Sequence, residues 1–162
     1  MTRRIAYAGT PEFAVPALRS LLAGNVDLVC VITQPDRKSG RGRKIIESPV
    51  KKLSIASNVR VFQPENINDQ ASLDVLDDME LDLLNVAAYG QIFCQKLLAN
   101  PPLGFKNIKA TLIQRWRGAS PIQHAILAGD KETGITIMQM CQAMDAGDIW
   151  LQKSTDIRDD DT

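Results

Sequence analysis

The chain has few cysteines, no net charge and no long apolar segment, and each shortage excludes a class of protein. Its three cysteines, Cys30, Cys94 and Cys141, stand far apart and form no C-x-x-C pair, so no metal site of that kind is expected. The 19 basic residues balance the 19 acidic ones, so bulk charge predicts no general affinity for nucleic acid or membranes. No stretch approaches the ~18 apolar residues of a membrane span. An odd cysteine count without a signal-like N-terminus predicts a reducing cytoplasm.

The chain also lacks a complete dinucleotide-binding fingerprint and has a single histidine. The segment AGTPEF (8–13) has one glycine where the nicotinamide and flavin fingerprint G-x-G-x-x-G needs three. It fits a tight strand-to-helix turn, and an anion at the free helix N-terminus is the alternative use. His124, the only histidine, falls within a predicted helix and is interpreted as a structural or surface residue rather than a base.

What the chain does contain is an alternation of apolar strands with helices. The segments predicted as strands are 4–9, 27–34, 59–63, 81–90, 107–112, 133–140 and 150–157. The segments predicted as helices are 10–24, 48–57, 69–80 and 120–130, with Thr10 and Ser120 as N-caps. This order predicts an α/β fold: a Rossmann-like doubly wound, mostly parallel sheet with helices on both faces. Its ligand crevice is expected beyond the carboxyl ends of the strands, lined by the loops that follow Gly9, Gln34, Gly90 and Leu112.

A basic segment rich in glycine and proline, 35–49, follows the second strand and is predicted to be a long loop. The cations in and just after it are Arg37, Lys38, Arg41, Arg43, Lys44, Lys51 and Lys52. Two interpretations stand: a solvated surface loop, or a segment whose cations neutralise phosphates. The length favours the second, because long insertions in compact domains usually have a function.

A polar trio lies on one side of the strand predicted over 107–112. The alternation of a strand places Asn107, Lys109 and Thr111 on the same side, where an apolar strand enters an Arg-rich turn. The Arg-Trp-Arg run at 115–117 either binds anions and rings or pins the turn to the core. The acidic turn MDAGD (144–148) is ordinary turn chemistry unless Asp145 lies near Asn107.

Together these segments resemble the N-terminal domain of methionyl-tRNA formyltransferase over essentially the whole chain. The matching stretches are AGTPEFAVPALRSLL, TQPDRKSGRGRKIIESPVK, VAAYGQI, RWRGASPIQHAILAGDKETGITIMQM and DAGD. The first two discriminate most, because relatives acting on sugar nucleotides or purine precursors keep the sheet but not the basic loop. The resemblance implies formyl transfer, in translation initiation, from 10-formyltetrahydrofolate to the amino group of methionyl initiator tRNA.

The resemblance also implies three catalytic positions: an oxyanion donor, a group that moves the amine's proton, and a carboxylate that orients that group. The family uses Asn, His and Asp there. Asn107 and Asp145 match, and Lys109 stands where the histidine belongs. A lysine ammonium accepts no proton at neutral pH, although it can still stabilise an oxyanion. A rate loss of ~10²–10⁴-fold is therefore expected.

Two binding segments follow from the same resemblance. The folate is expected to contact Ala88, Tyr89, Gly90, Gln91 and Ile92 around its pterin, and Thr111, Leu112, Ile113 and Gln114. The tRNA acceptor end is expected to contact Arg37, Lys38, Arg41, Arg43 and Lys44. Some positions depart from the family pattern: Gln114 and Cys94 replace prolines, and Asn85 falls in a strand expected to be buried, where an unpaired amide costs ~1–3 kcal/mol.

By this resemblance, residues 1–162 are a formyltransferase catalytic domain truncated at its C-terminal end. The family's completing helix and its C-terminal tRNA-binding barrel domain are expected to be absent, and the uncovered sheet face is expected to promote self-association. Two alternatives stay open: an inactive fragment that binds folate or tRNA, and a formyltransferase for a sugar-nucleotide amine. No metal, membrane or obligate protein partner is expected.

Overall fold

The computed structural model describes residues 1–39, 42, 44–112 and 121–158. The chain divides into two compact units, Met1–Phe105 and Lys106–Thr162. Each is described by itself below.

The first unit is built on a parallel sheet whose strand order is β5-β2-β1-β6. Its strands are β1 (Arg4–Gly9), β2 (Asp27–Ile32), β5 (Val61–Phe62) and β6 (Leu83–Ala87). All three strand pairs are parallel. The central strand β1 is almost wholly buried because Tyr7, Ala6 and Ala8 are each 0% exposed. This arrangement confirms the α/β prediction for the first unit and brings the carboxyl ends of the strands to one edge.

The described residues of the first unit also form four α-helices. They are α1 (Val15–Ala23), α2 (Pro49–Ala56), α3 (Gln70–Asp77) and the short α4 (Gln95–Leu98), which sequence patterning did not predict. The N-caps of α2 and α3 are side chains of the expected type: Ser48 Oγ accepts from Lys51 N at 3.0 Å, and Asp69 Oδ1 accepts from Ser72 N at 2.7 Å. These caps fix where both helices begin.

The sequence predictions for Thr10 and Asn85 are wrong. Thr10 does not cap α1, which is preceded by a 3-10 turn at Glu12–Ala14. Its hydroxyl instead donates to the Tyr89 carbonyl at 2.8 Å and accepts from Gln34 N at 3.3 Å, because those backbone groups after β6 and β2 need partners. Asn85 is half-buried rather than buried, so the expected cost of an enclosed amide does not apply.

The basic segment after β2 was predicted to be a loop without strands, and this is also wrong. The strands β3 (Arg37–Ser39) and β4 (Lys44–Ile46) pair antiparallel; we call 37–46 the basic hairpin. Its base is fixed by Lys51, which pairs with Asp36 and lies 3.3 Å from Glu47. Hydrogen bonds from Lys51 and Gln63 hold the pKa of Asp36 below its ordinary value. A short ladder and an ion-pair network therefore stand where composition predicts a loop.

The second unit carries an antiparallel meander. Its elements are β7 (Phe105–Lys109, whose first residue closes the first unit), α5 (Pro121–Leu127), β8 (Glu132–Gln139) and β9 (Ile149–Asp156). Strand β8 pairs with both β7 and β9. Every residue of β9 is exposed, and the Lys106 ammonium lies 3.7 Å from the ring centroid of Trp150. The predicted cap Ser120 lies outside the described residues.

In the part of the chain that the structure describes, every helix is too short or too polar to cross a membrane.

The Ser48 hydroxyl is expected to matter more for stability than an ordinary helix cap. It also bonds the Thr33 hydroxyl at 2.7 Å, and Thr33 is 0% exposed. Ser48→Ala therefore removes a cap and leaves a buried hydroxyl unpaired, which should lower the free energy of unfolding by about 1–3 kcal/mol. Urea unfolding measures this. Ser57→Ala, at the other end of α2, is the matched control, and equal losses in the two variants would contradict the expectation.

Candidate active site

Strand β7 presents Asn107 and Lys109 on the same side. Two residues apart on a strand, their Cα atoms are about 7 Å apart. In the antiparallel register they lie opposite Met138 and Thr136 of β8. Both side chains are half-buried. The described residues offer the Asn107 amide no hydrogen-bond partner, so it can donate to a bound ligand.

Asp145 is held by a turn with unusual backbone geometry. It adopts a left-handed conformation, φ +53°, which aspartate tolerates better than most residues. The turn is tied to the end of β8 because Gln139 N donates to the Asp148 carbonyl at 2.8 Å. Position 147 must be glycine, since a Cβ there would lie 1.9 Å from the Gln139 carbonyl oxygen. Backbone packing therefore sets where the Asp145 carboxylate lies.

The carboxylate of Asp145 meets the ammonium of Lys109. Lys109 Nζ lies 2.9 Å from Oδ1 and 3.0 Å from Oδ2, so it bridges both oxygens. The Asp145 side chain is 6% exposed and that of Lys109 is 21% exposed, which makes the pair largely shielded from solvent. Two of the three predicted catalytic side chains are thus in direct contact, and the third lies on the same face of β7. Their catalytic roles stay predictions.

The other predicted residues of this unit lie at or beyond the end of β7. The prediction that the strand continues to 112 is wrong, because β7 ends at Lys109. Thr111 is only 4% exposed, and its carbonyl accepts from Thr136 Oγ1 at 2.6 Å. Leu112 follows it, while Ile113, Gln114 and the run 115–117 lie outside the described residues. His124 is exposed on α5, in agreement with its interpretation as a surface residue.

In the first unit, the segment 88–92 exposes Ala88 and Gly90 to solvent, while the side chains of Tyr89 and Gln91 contact the rest of the unit. Ala88 and Gly90 are exposed and have positive φ, +49° and +104°. The Tyr89 ring is 2% exposed and stacks on Phe93 with centroids 5.5 Å apart. Gln91 Oε1 accepts from Ile67 N at 2.8 Å. Ile92 is 82% exposed. A ligand at this segment would therefore meet backbone groups more than anchored side chains.

Thr10 and Gln34 also belong to this region, and sequence analysis predicts that the loops after Gly9 and Gln34 line the crevice. With Gly90 they line a cavity of about 480 Å³ that also borders Arg37 at the base of the basic hairpin. Gln34 Nε2 and the Tyr89 hydroxyl are buried without a hydrogen-bond partner in the described structure, and burial raises the pKa of Tyr89. Sequence analysis predicts the position of these loops from the carboxyl ends of the strands, but not the contacts of Thr10, whose partners follow two other strands.

The predicted tRNA contacts fall on the basic hairpin. Arg37 and Lys38 are exposed on β3, and Lys44 is exposed on β4. Arg41 and Arg43 lie outside the described residues. Within the ranges that are described, no three of histidine, cysteine, aspartate and glutamate come together as a metal site requires. Burial raises the pKa of the Cys30 thiol to about 11, which keeps it protonated and a poor ligand.

Comparison with known proteins decides the family. The family model described as "Formyl transferase" matches residues 3–162. The chain belongs to the formyl transferase family. It is 49% identical over 159 residues to methionyl-tRNA formyltransferase of Marinobacter nauticus, covering 98% of the chain and 51% of the relative. It is 51% identical over 159 residues to that of Methylococcus capsulatus, covering 98% and 52%. The resemblance stated from the sequence is therefore confirmed.

This formyl transferase chain spans about half the length of the curated relatives it matches. Among solved structures, phosphoribosylglycinamide formyltransferase from Bacillus halodurans superimposes with a TM-score of 0.79 over 99% of this chain and 83% of that one. The sequence identity is 22%, so this likeness speaks for the fold alone. It confirms the Rossmann-like α/β class predicted from the strand and helix pattern.

Gly147→Ala is expected to separate Asp145 from Lys109. The new Cβ would collide with the Gln139 carbonyl, so the turn must move away from β8. We expect this strain to lower the free energy of unfolding by about 1–3 kcal/mol. A crystal structure of the variant should show Lys109 Nζ more than 4 Å from both carboxylate oxygens. Gly42→Ala is the control, because its nearest neighbour, Lys44 Cγ, is 3.9 Å away. If the Lys109–Asp145 ion pair is unchanged in Gly147→Ala, the close approach at Gly147 does not set the position of Asp145.

Proposed function

We propose that the chain transfers a formyl group from 10-formyltetrahydrofolate to the amino group of methionyl initiator tRNA, in the cytoplasm, and that residues 1–162 form a catalytic domain. The observation that carries the proposal is the contact of Lys109 with Asp145 on the face of β7 that also bears Asn107. The identity of about half of all positions to methionyl-tRNA formyltransferases supports this choice of substrates over other formyl acceptors.

The chemistry assigns a task to each of the three side chains. The amine attacks the formyl carbon, an N–C bond forms, and the carbonyl oxygen becomes an oxyanion. The Asn107 amide and the Lys109 ammonium then act as donors to that oxyanion. When the intermediate collapses, the bond from carbon to N10 of tetrahydrofolate breaks, and the proton lost by the amine is balanced by the one gained at N10.

Proton transfer is the weak point of this site. The Lys109 ammonium has no lone pair to accept the amine's proton, and both oxygens of Asp145 already accept from that ammonium. Proton removal is then left to water or to a remaining lone pair of Asp145. We therefore propose an active site that keeps its electrostatic stabilisation of the oxyanion but has lost its positioned acid–base group.

We assign the folate to the outward backbone of 88–92 and to the segment beginning at Thr111, and the tRNA acceptor end to the basic hairpin. The exposed backbone at Ala88 and Gly90 supports the first assignment. The paired strands support the second, because they hold Arg37, Lys38 and Lys44 on a short exposed scaffold. Cations bind the phosphates of a sugar nucleotide as well, so the similarity to methionyl-tRNA formyltransferases is what favours tRNA over that acceptor.

A second function is favoured by the same ion pair. With Lys109 occupying both Asp145 oxygens, the chain can hold folate or tRNA and transfer nothing. This inactive binder differs from the enzyme in one measurable respect, since it lacks turnover at any substrate concentration.

Lys109→His is expected to raise the rate of formyl transfer by ~10²–10⁴-fold, because an imidazole accepts a proton and Asp145 can orient it. Formylation of methionyl initiator tRNA with 10-formyltetrahydrofolate, followed by acid gel electrophoresis, measures the rate. The exchange Lys153→His on the exposed strand β9 is the matched control and should change nothing. Absence of any gain in Lys109→His, with folate binding and thermal unfolding unaltered, would favour the inactive binder.

Neutralising Arg37, Lys38 and Lys44 of the basic hairpin is expected to weaken tRNA binding. It is also expected to make that binding less dependent on salt. For the triple change Arg37→Gln, Lys38→Gln and Lys44→Gln, the slope of log K against log salt should fall by about 2–3, close to one unit for each lost phosphate contact. Filter binding from low to moderate salt measures the slope.

The control for the hairpin variant is the triple change Arg3→Gln, Arg19→Gln and Lys96→Gln, which removes the same charge from exposed positions elsewhere in the first unit. Equal slopes in the two triple variants would mean that the hairpin contributes only net charge and does not contact the tRNA.

A further inference from the structure

A partly buried hydrogen-bond relay crosses the meander of the second unit directly beside Lys109. Thr136 lies in β8, is 0% exposed, and pairs in register with Lys109 on β7 and with Gln152 on β9. Gln152 Nε2 donates to Thr136 Oγ1 at 3.0 Å, and Thr136 Oγ1 donates to the Thr111 carbonyl at 2.6 Å.

The relay has a defined direction. An amide NH₂ can only donate, so the Thr136 hydroxyl must accept from Gln152. Its single proton is then directed to the Thr111 carbonyl. That carbonyl has left the ladder, since the β7–β8 register ends at Lys109 and Thr136, and Thr111 is 4% exposed. A buried carbonyl needs a hydrogen-bond donor, and the Thr136 hydroxyl supplies one here.

A second contact seats the same segment on β8. The Leu112 side chain packs so closely over Gly134 that a Cβ there would lie 2.7 Å from Leu112 Cδ2. The chain from Lys109 to Leu112 is therefore fixed at three points: by the ladder and Asp145 at Lys109, by Thr136 at Thr111, and by Gly134 at Leu112. Of these three contacts, the one at Thr111 also involves a side chain of the exposed strand β9, namely Gln152.

We propose that Thr136 and Gln152 are positioning residues for this site: they hold the end of β7 so that Lys109 reaches Asp145 and Thr111 faces its ligand. The catalytic part of this inference rests on the proposed formyl transfer, and the geometric part does not. Gln152, exposed on β9, makes the conformation of the site depend on an edge strand that touches none of its reacting groups.

Thr136→Val keeps the shape of the side chain and removes the hydroxyl, and Thr136→Ser keeps the hydroxyl. The valine variant should shift the backbone amide resonances of Lys109, Thr111 and Leu112, whereas the serine variant should resemble the unmodified chain. Gln152→Leu should shift the same resonances in the same direction. The control is Thr155→Val, the same exchange at an exposed position of β9. The relay would be overturned if the resonance shifts in Thr136→Val were no larger than those in Thr155→Val. It would also be overturned if Thr136→Ser shifted the resonances as much as Thr136→Val.

The kinetic arm separates positioning from general stability. Thr136→Val should lower kcat for formyl transfer about 10- to 100-fold, as expected for a small misplacement, with KM for methionyl-tRNA unchanged and with rescue by Thr136→Ser. A rise in KM with kcat intact would overturn the positioning role. Absence of turnover in both the unmodified chain and Lys109→His would defeat the proposed function, and the resonance shifts would still decide the relay.

Discussion

The candidate site depends on one ion pair that is largely enclosed. A carboxylate as buried as that of Asp145 is stable as an anion only with a close cationic or hydrogen-bonding partner, and the Lys109 ammonium meets this need at both oxygens. The interaction defines what the site can do. It holds a cation on the face of β7 that also bears Asn107, and it engages both oxygens of the Asp145 carboxylate.

The meander of the second unit explains how residues so distant in sequence meet. Antiparallel pairing brings the end of β8 beside the start of β7, and the turn between β8 and β9 then reaches back towards Lys109. Glycine at 147 and the left-handed backbone at Asp145 shape that turn. Three strands, one turn and a buried threonine thus position the group, while the first unit supplies a separate edge where Thr10, Gln34 and Tyr89 are tied together.

The sequence predicted those features that depend on interactions between residues close together in the chain. The alternation around Asn107 and Lys109 placed both on one face, and Ser48 before Pro49 marked the start of α2, because pleating and capping act over two to four residues. The basic hairpin was missed because its strands are short and its base is held by Lys51 and Asp36, a pairing that no local pattern reveals. Thr10 was misassigned for the same reason, since its partners come from two other strands.

The turn that carries Asp145 is shaped by backbone contacts that do not involve the side chain at 109: the Gln139–Asp148 hydrogen bond and the close approach at Gly147. Selection can therefore exchange the residue facing that carboxylate without rebuilding the loop around it. A lineage can therefore exchange the residue at position 109 and later restore it with no second change in the turn, so evolution at this position is reversible.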